Sequence, residues 1–192
     1  MASSRRPSVD DVVGLLRQAL PAESDRLAHT LAVGRRAEFV ARRLGLARRD
    51  TAIVAAYLHD VGYAEAAAAT GMHQLDGARF LRGLGYDDEV CRLVAHHTFA
   101  RAEARNRDLG ATLGAEFPLP DGNLADLLDV ITFCDLTTSS AGRPTTVADR
   151  FAGIFARYAP GHVVAVTMHE VEPLALDVVG RVQSKCGPLP QR

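Results

Sequence analysis

The sequence predicts an all-α fold. Apolar residues recur at helical spacing in segment after segment, no segment shows convincing period-two alternation, and helix-starting and helix-stopping residues punctuate the intervals. The pattern yields some nine helices, and 192 residues suffice for one domain spanning 1–192, with little room for a second.

Ser8 followed by Asp11 reads as an acidic capping box that opens a short helix to about Leu20, where Pro21 ends it. Ser24 or Asp25 caps a second helix that runs to Leu44 and stops at Gly45. Asp50 is expected to cap a third, Thr51 to Val61, closed by Gly62. Further helical patterns cover Gln74–Arg82, Asp87–His97, Arg101–Leu113, Asn123–Thr138, Thr146–Tyr158 and His162–Cys186. Pro173 should kink or break the last of these. Gly- and Pro-rich loops fall at Gly83–Asp87, Phe117–Gly122 and Ser140–Pro144.

Composition narrows the function classes. The hydrophobic fraction of 47% and charged fraction of 23% are ordinary for a soluble globular protein, and a net charge of −1 implies no general pull toward nucleic acid or anionic membrane. Lys185 is the single lysine among 22 basic residues, so an arginine here is weaker evidence for phosphate binding than it would be in a lysine-rich chain. Cys91, Cys134 and Cys186 share no CxxC spacing and are odd in number, which favours reduced thiols. The start, Met1 to Asp10, is polar, carries Arg5 and Arg6, and has no apolar stretch behind it. No signal peptide or transmembrane span is expected, and the localisation expected is cytoplasmic.

The chemistry lies in polar residues that occupy core positions. On the second helix Val33, Ala37, Val40 and Leu44 form an apolar stripe, and His29 extends it one turn backward. On the third, Ala52, Ala56 and His59 lie along one line, and Ile53, Ala56 and Asp60 along the next. Val90, Leu93 and Val94 lead to His97, while Leu124, Leu128 and Ile131 lead to Asp135. A lone histidine on such a stripe is more often a satisfied core residue than a ligand. Several histidines and carboxylates converging from different helices need a shared cation or a large network, because an unpartnered buried carboxylate is expensive. Imidazole with carboxylate suits iron, manganese, zinc, cobalt or nickel. Helical bundles build such sites from inward side chains on facing helices.

The order His29, then His59–Asp60, then Asp135 resembles the H…HD…D signature of the HD-domain metal-dependent phosphohydrolases, with "RLAHT", "AAYLHDVGY" and "ITFCDLTT" as flanks. The resemblance covers about 25–158, leaving 159–192 as a C-terminal helical extension. It implies a five-helix core and metal binding by these four residues. His73 in "GMHQLDGARFL" and His97 in "LVAHHT" resemble the two extra histidines of a dinuclear branch. In that branch Asp60 bridges two divalent transition metals, His29, His59 and Asp135 complete one, and His73 and His97 complete the other. Adjacent helical residues point about 100° apart. The apolar stripe favours His97, with His96 as the alternative.

The resemblance further implies a phosphohydrolase that cleaves a phosphoester or phosphoanhydride bond of a nucleotide-like small molecule with metal-activated water. Asp60 and His59 would be the catalytic pair, and Arg26, Arg101 and Arg105 the residues that clamp phosphate. "HHTFARAEAR" lacks a GYP tripeptide, which argues against a cyclic di-GMP phosphodiesterase, and no ED pair follows the doublet. The arrangement is nearer the small stand-alone bacterial HD proteins, including those resembling symmetrical dinucleoside tetraphosphate hydrolases. Two alternatives stand beside hydrolysis: a mixed-valent di-iron oxygenase and a non-catalytic nucleotide-sensing module. No membrane association and no stable nucleic-acid binding are expected, and a homodimer remains open. His162, His169 and Glu170 read as a solvated helix face, and Cys134 as packing.

Overall fold

The structure is a computed structural model that describes residues 7–187. The polar start with Arg5 and Arg6 lies outside the described residues. Ten α-helices follow in order: α1 Val9–Ala19, α2 Asp25–Arg43, α3 Arg49–Leu58, α4 His73–Gly83, α5 Asp88–His96, α6 Ala100–Asn106, α7 Gly110–Glu116, α8 Asn123–Leu136, α9 Val147–Arg157 and α10 Val163–Cys186. A 3-10 turn, Val61–Tyr63, lies between α3 and α4. Among the described residues the β contribution is one isolated antiparallel bridge, Thr138 with Pro144.

Where local side-chain chemistry starts a helix, it starts as expected. Ser8 and Asp11 form a reciprocal capping box on α1, Ser24 accepts from the Leu27 N–H at the head of α2, and Thr146 accepts from the Asp149 N–H at the head of α9. Three expectations need correction. Helix α3 begins before Asp50, without a side-chain cap, and ends at Leu58 rather than Val61. The stretch expected as one helix over Arg101–Leu113 is two, because Asp108 takes a left-handed φ of 58° and turns the chain between α6 and α7. Of the kink or break expected at Pro173, the break does not occur: α10 runs through it to Cys186. Pro173 is exposed, so the carbonyl deprived of a donor can turn to water.

Helix α3 is the centre of the molecule. Every residue from Ala52 to Gly62 is buried, as expected of a segment with partners on all sides, and α3 packs against α1, α2, α5 and α8. Helix α4 pairs with α5, and α10 covers α8 along the stripe Met168, Val171, Ala175, Val179, Val182. The 3-10 turn is pressed onto α4 so closely that a Cβ on Gly62 would lie 1.8 Å from the His73 carbonyl oxygen. Gly77 faces it, its own Cβ position 2.9 Å from the Gly62 nitrogen.

Candidate metal centre

The His59–Asp60 doublet sits where α3 ends. His59 keeps helical angles as the residue after Leu58, and Asp60 takes φ −99° and ψ 9° as the chain enters the 3-10 turn. That turn carries Gly62 onto the first residue of α4, which is His73. At the end of α5, His97 leaves the helix with ψ 152°, and Thr98 and Phe99 follow with φ of 44° and 63°. Two successive non-glycine residues in the left-handed region, one of them β-branched, cost about 1–3 kcal/mol each. Thr98 is held there by its hydroxyl, which donates to Asp135 Oδ2 at 2.6 Å, and by its N–H, which donates to Thr132 Oγ1.

Asp60 is the hub. Its Oδ2 faces His59 Nε2 at 3.4 Å and His29 Nε2 at 3.9 Å, and its Oδ1 faces His73 Nε2 at 3.4 Å and His97 Nε2 at 4.0 Å. Two groups of candidate ligands result, His29–His59–Asp60 and Asp60–His73–His97, with donor atoms in each within 4.8 Å of one another. Asp135 stands beside the first group, its Oδ1 3.0 Å from His29 Nε2.

Protonation is ordered by the main chain. The Nδ1 of His29 lies 2.9 Å from the Ser139 carbonyl, that of His59 2.8 Å from the Ala56 carbonyl, and that of His97 2.7 Å from the Val94 carbonyl. A carbonyl oxygen can only accept, so Nδ1 carries the hydrogen in each ring and a neutral ring keeps its Nε2 lone pair directed toward the carboxylates. His59 Nε2 is fully buried and has no hydrogen-bond partner, despite its nearness to Asp60. A buried nitrogen of this kind, facing a carboxylate and two further imidazoles, fits a cation.

The electrostatics favour the deprotonated form at Asp60, Asp135, His73 and His97, and the protonated form at His59. Burial alone would raise the Asp60 carboxyl, but the Arg26 guanidinium, bonded to Oδ2, and His59 hold it well below the carboxylate range. For Asp135, burial is likewise outweighed by its bond with His29 and the charge of Arg150, 3.1 Å away. Burial lowers His97 from 6.5 to about 4, with His59 adding to the effect, and burial depresses His73 strongly as well. His59 goes the other way: burial opposes its protonation, but the Asp60 charge overrides it and raises the pKa.

Not every residue expected at the site is here. His96 turns away: its Nε2 is 2.7 Å from the Phe117 carbonyl, which ties α5 to the chain beyond α7. Because His97 has left the helix, helical spacing does not relate the two rings. Arg101 is exposed and does not line the cleft over the cluster, and Arg105 is paired with Glu170 on the outside of α10. Arg26 does line it, as do Arg150 and Arg157, which the sequence reading missed. Arg150, Ile154 and Arg157 recur at helical spacing on α9, and that stripe was the available signal. Tyr63, stacked on His73 at 4.2 Å and capped by Arg26, and Thr98 were also missed, since neither residue type announces a site. His162, His169 and Glu170 do not gather: His162 stacks on Tyr158, His169 on Phe155, and Glu170 binds Arg105.

Among known proteins, a family model described as HD domain matches residues 26–135. Ribonuclease Y of Rubrobacter xylanophilus (strain DSM 9941 / JCM 11954 / NBRC 16129 / PRD-1) is 40% identical over 91 residues, which is 45% of this chain and 17% of that protein. The chain therefore spans less than a fifth of the length of this relative. No solved structure matches it.

Proposed function

The chain belongs to the HD domain family, and from that membership we propose that it is a metal-dependent phosphohydrolase acting on a phosphoester or phosphoanhydride bond of a nucleotide-like substrate. The observation that carries this reading is the buried, partnerless Nε2 of His59, set among the other imidazole nitrogens around Asp60. His29, His59, Asp60 and Asp135 would hold one divalent metal, and Asp60, His73 and His97 a second. Such a centre would supply Lewis acidity, which would lower the pKa of water and polarise phosphoryl oxygens.

The chain's own contribution is positioning and charge. Asp60 presents one carboxylate oxygen to each group of histidines, which suits a bridging ligand. Arg26 and Arg150 pair with Asp60 and Asp135, which sets two guanidinium groups beside the ligand candidates, where they would clamp a phosphate. Arg157 adds a third positive group on the same rim. Leu136, Ile154 and Met168 supply the apolar part of the cleft lining. The matched relative is named as a ribonuclease, which supports hydrolysis at phosphorus over oxygenation.

The test is metal analysis of protein purified without added metal, followed by a phosphate-release screen over nucleotides. About two metals per chain are expected, falling sharply in His73→Ala. One metal, indifferent to that change, would sink the dinuclear reading. Activity that requires iron and dioxygen and releases no phosphate would replace hydrolysis with oxygenation.

A further inference from the structure

Gln74 follows the ligand candidate His73 on the first turn of α4 and is only 2% exposed. Its side-chain nitrogen donates to Glu103 Oε2 at 3.1 Å, and Glu103 Oε1 accepts from Arg107 Nε at 2.8 Å. Glu103 is itself buried, and paired with a guanidinium it is a carboxylate that only accepts. The amide must therefore turn its NH2 toward Glu103. The chain Arg107–Glu103–Gln74 fixes the direction of the amide by chemistry alone.

That direction leaves Gln74 Oε1 buried and without a donor. Gln74 and Glu103 line the same cleft as Asp60, His73 and His97. None of the three guanidinium groups that share the cleft, Arg26, Arg150 and Arg157, bonds to that oxygen. A buried amide oxygen without a donor is destabilising until a donor completes it.

We propose that Gln74 is a specificity-determining residue whose Oε1 accepts a hydrogen bond from a neutral hydroxyl of the substrate close to its phosphate. The site then takes phosphate esters of hydroxylated alcohols, such as sugars, polyols or ribonucleosides, ahead of their deoxy counterparts. This rests on the phosphohydrolase reading above. An ionised phosphate oxygen has no hydrogen to donate, so the donor has to be another group of the substrate.

The experiment compares matched esters on the metal-loaded full chain: glycerol 2-phosphate against isopropyl phosphate, and AMP against its 2′-deoxy and 3′-deoxy forms. The hydroxylated member of at least one pair should be preferred by about 10- to 100-fold in kcat/KM. In Gln74→Leu that ratio should fall to within about threefold of one, since an apolar side chain has no acceptor to leave unpaired. Glu103→Gln, which keeps the shape but lets the amide flip, should give an intermediate ratio, and it carries the test if Gln74→Leu does not fold. A wild-type ratio near one, or variants that slow both members of a pair equally, would overturn the assignment. If no ester is hydrolysed, the hydrolase reading fails separately. The same pairs are then compared as ligands by thermal shift: a preference lost in the variants upholds the role of Gln74, and equal or absent shifts overturn it.

Discussion

An imidazole serves a metal only through a nitrogen that carries no hydrogen, and at His29, His59 and His97 the opposite nitrogen is already occupied by a carbonyl. Asp60 is the residue on which both candidate groups depend, so Asp60→Asn should empty both. Metal affinity measured by isothermal titration is expected to fall by more than about 100-fold, and retention of one tightly held metal would contradict the bridging role. Arg150 differs, because its guanidinium pairs with Asp135 and also lines the cleft. Arg150→Ala should leave metal content near the wild-type level while kcat/KM falls about 10- to 100-fold, most of it in KM. A parallel loss of metal would instead make Arg150 a support for Asp135.

Helix ends decide where these residues stand, and they divide the readable from the unreadable. The starts of α1, α2 and α9 are legible because Ser8, Ser24 and Thr146 act on backbone N–H groups three residues away. The end of α3 is not, since Val61 and Gly62 continue an apolar pattern and only the packing of Gly62 against α4 bends it. The His29–His59–Asp60–Asp135 order is visible as polar residues on apolar stripes, whereas Gln74 acquires meaning only once the fold brings the head of α4 into the cleft. Gly62→Ala tests this junction. Its methyl would meet main chain, which cannot swing aside, so a stability loss of about 3 kcal/mol is expected, together with weakened metal binding through the shift of His73. Unchanged denaturation would disprove the close contact. The α4–α7 tie is a separate matter of charge: the bond from Arg79 holds Glu116 below its usual 4.5. A carboxyl depressed in the folded state contributes stability above its unfolded pKa and loses it as pH falls through the folded value. The stability gap between wild type and Glu116→Gln should therefore narrow between about pH 6 and pH 3; a gap that widens on acidification would be the wrong sign.

At the scale of the whole molecule, the ligand candidates come from separate segments: α2, the end of α3, the head of α4, the end of α5 and α8. A cation that binds the folded arrangement and not the unfolded chain stabilises all of these at once. At a free concentration a hundred times Kd the gain is about 2.7 kcal/mol, or a rise in Tm of about 5–10 °C for a chain of this size. Differential scanning fluorimetry with and without a chelator reads this directly, and a Tm indifferent to both metal and chelator would remove the case for a bound cation. No described helix is long and apolar enough to cross a membrane.

The carbonyls of Ala56, Val94 and Ser139 have one more consequence. A main-chain oxygen has no codon, so exchanging the side chain at any of these positions leaves the oxygen where the backbone puts it. Randomising positions 56, 94 and 139 among residues that fit should change packing and melting behaviour while the histidines go on offering the same nitrogen. Genetic drift at those sites would be hidden from a bound cation, and the shape of the chain, rather than any neighbouring letter, guards the tautomers.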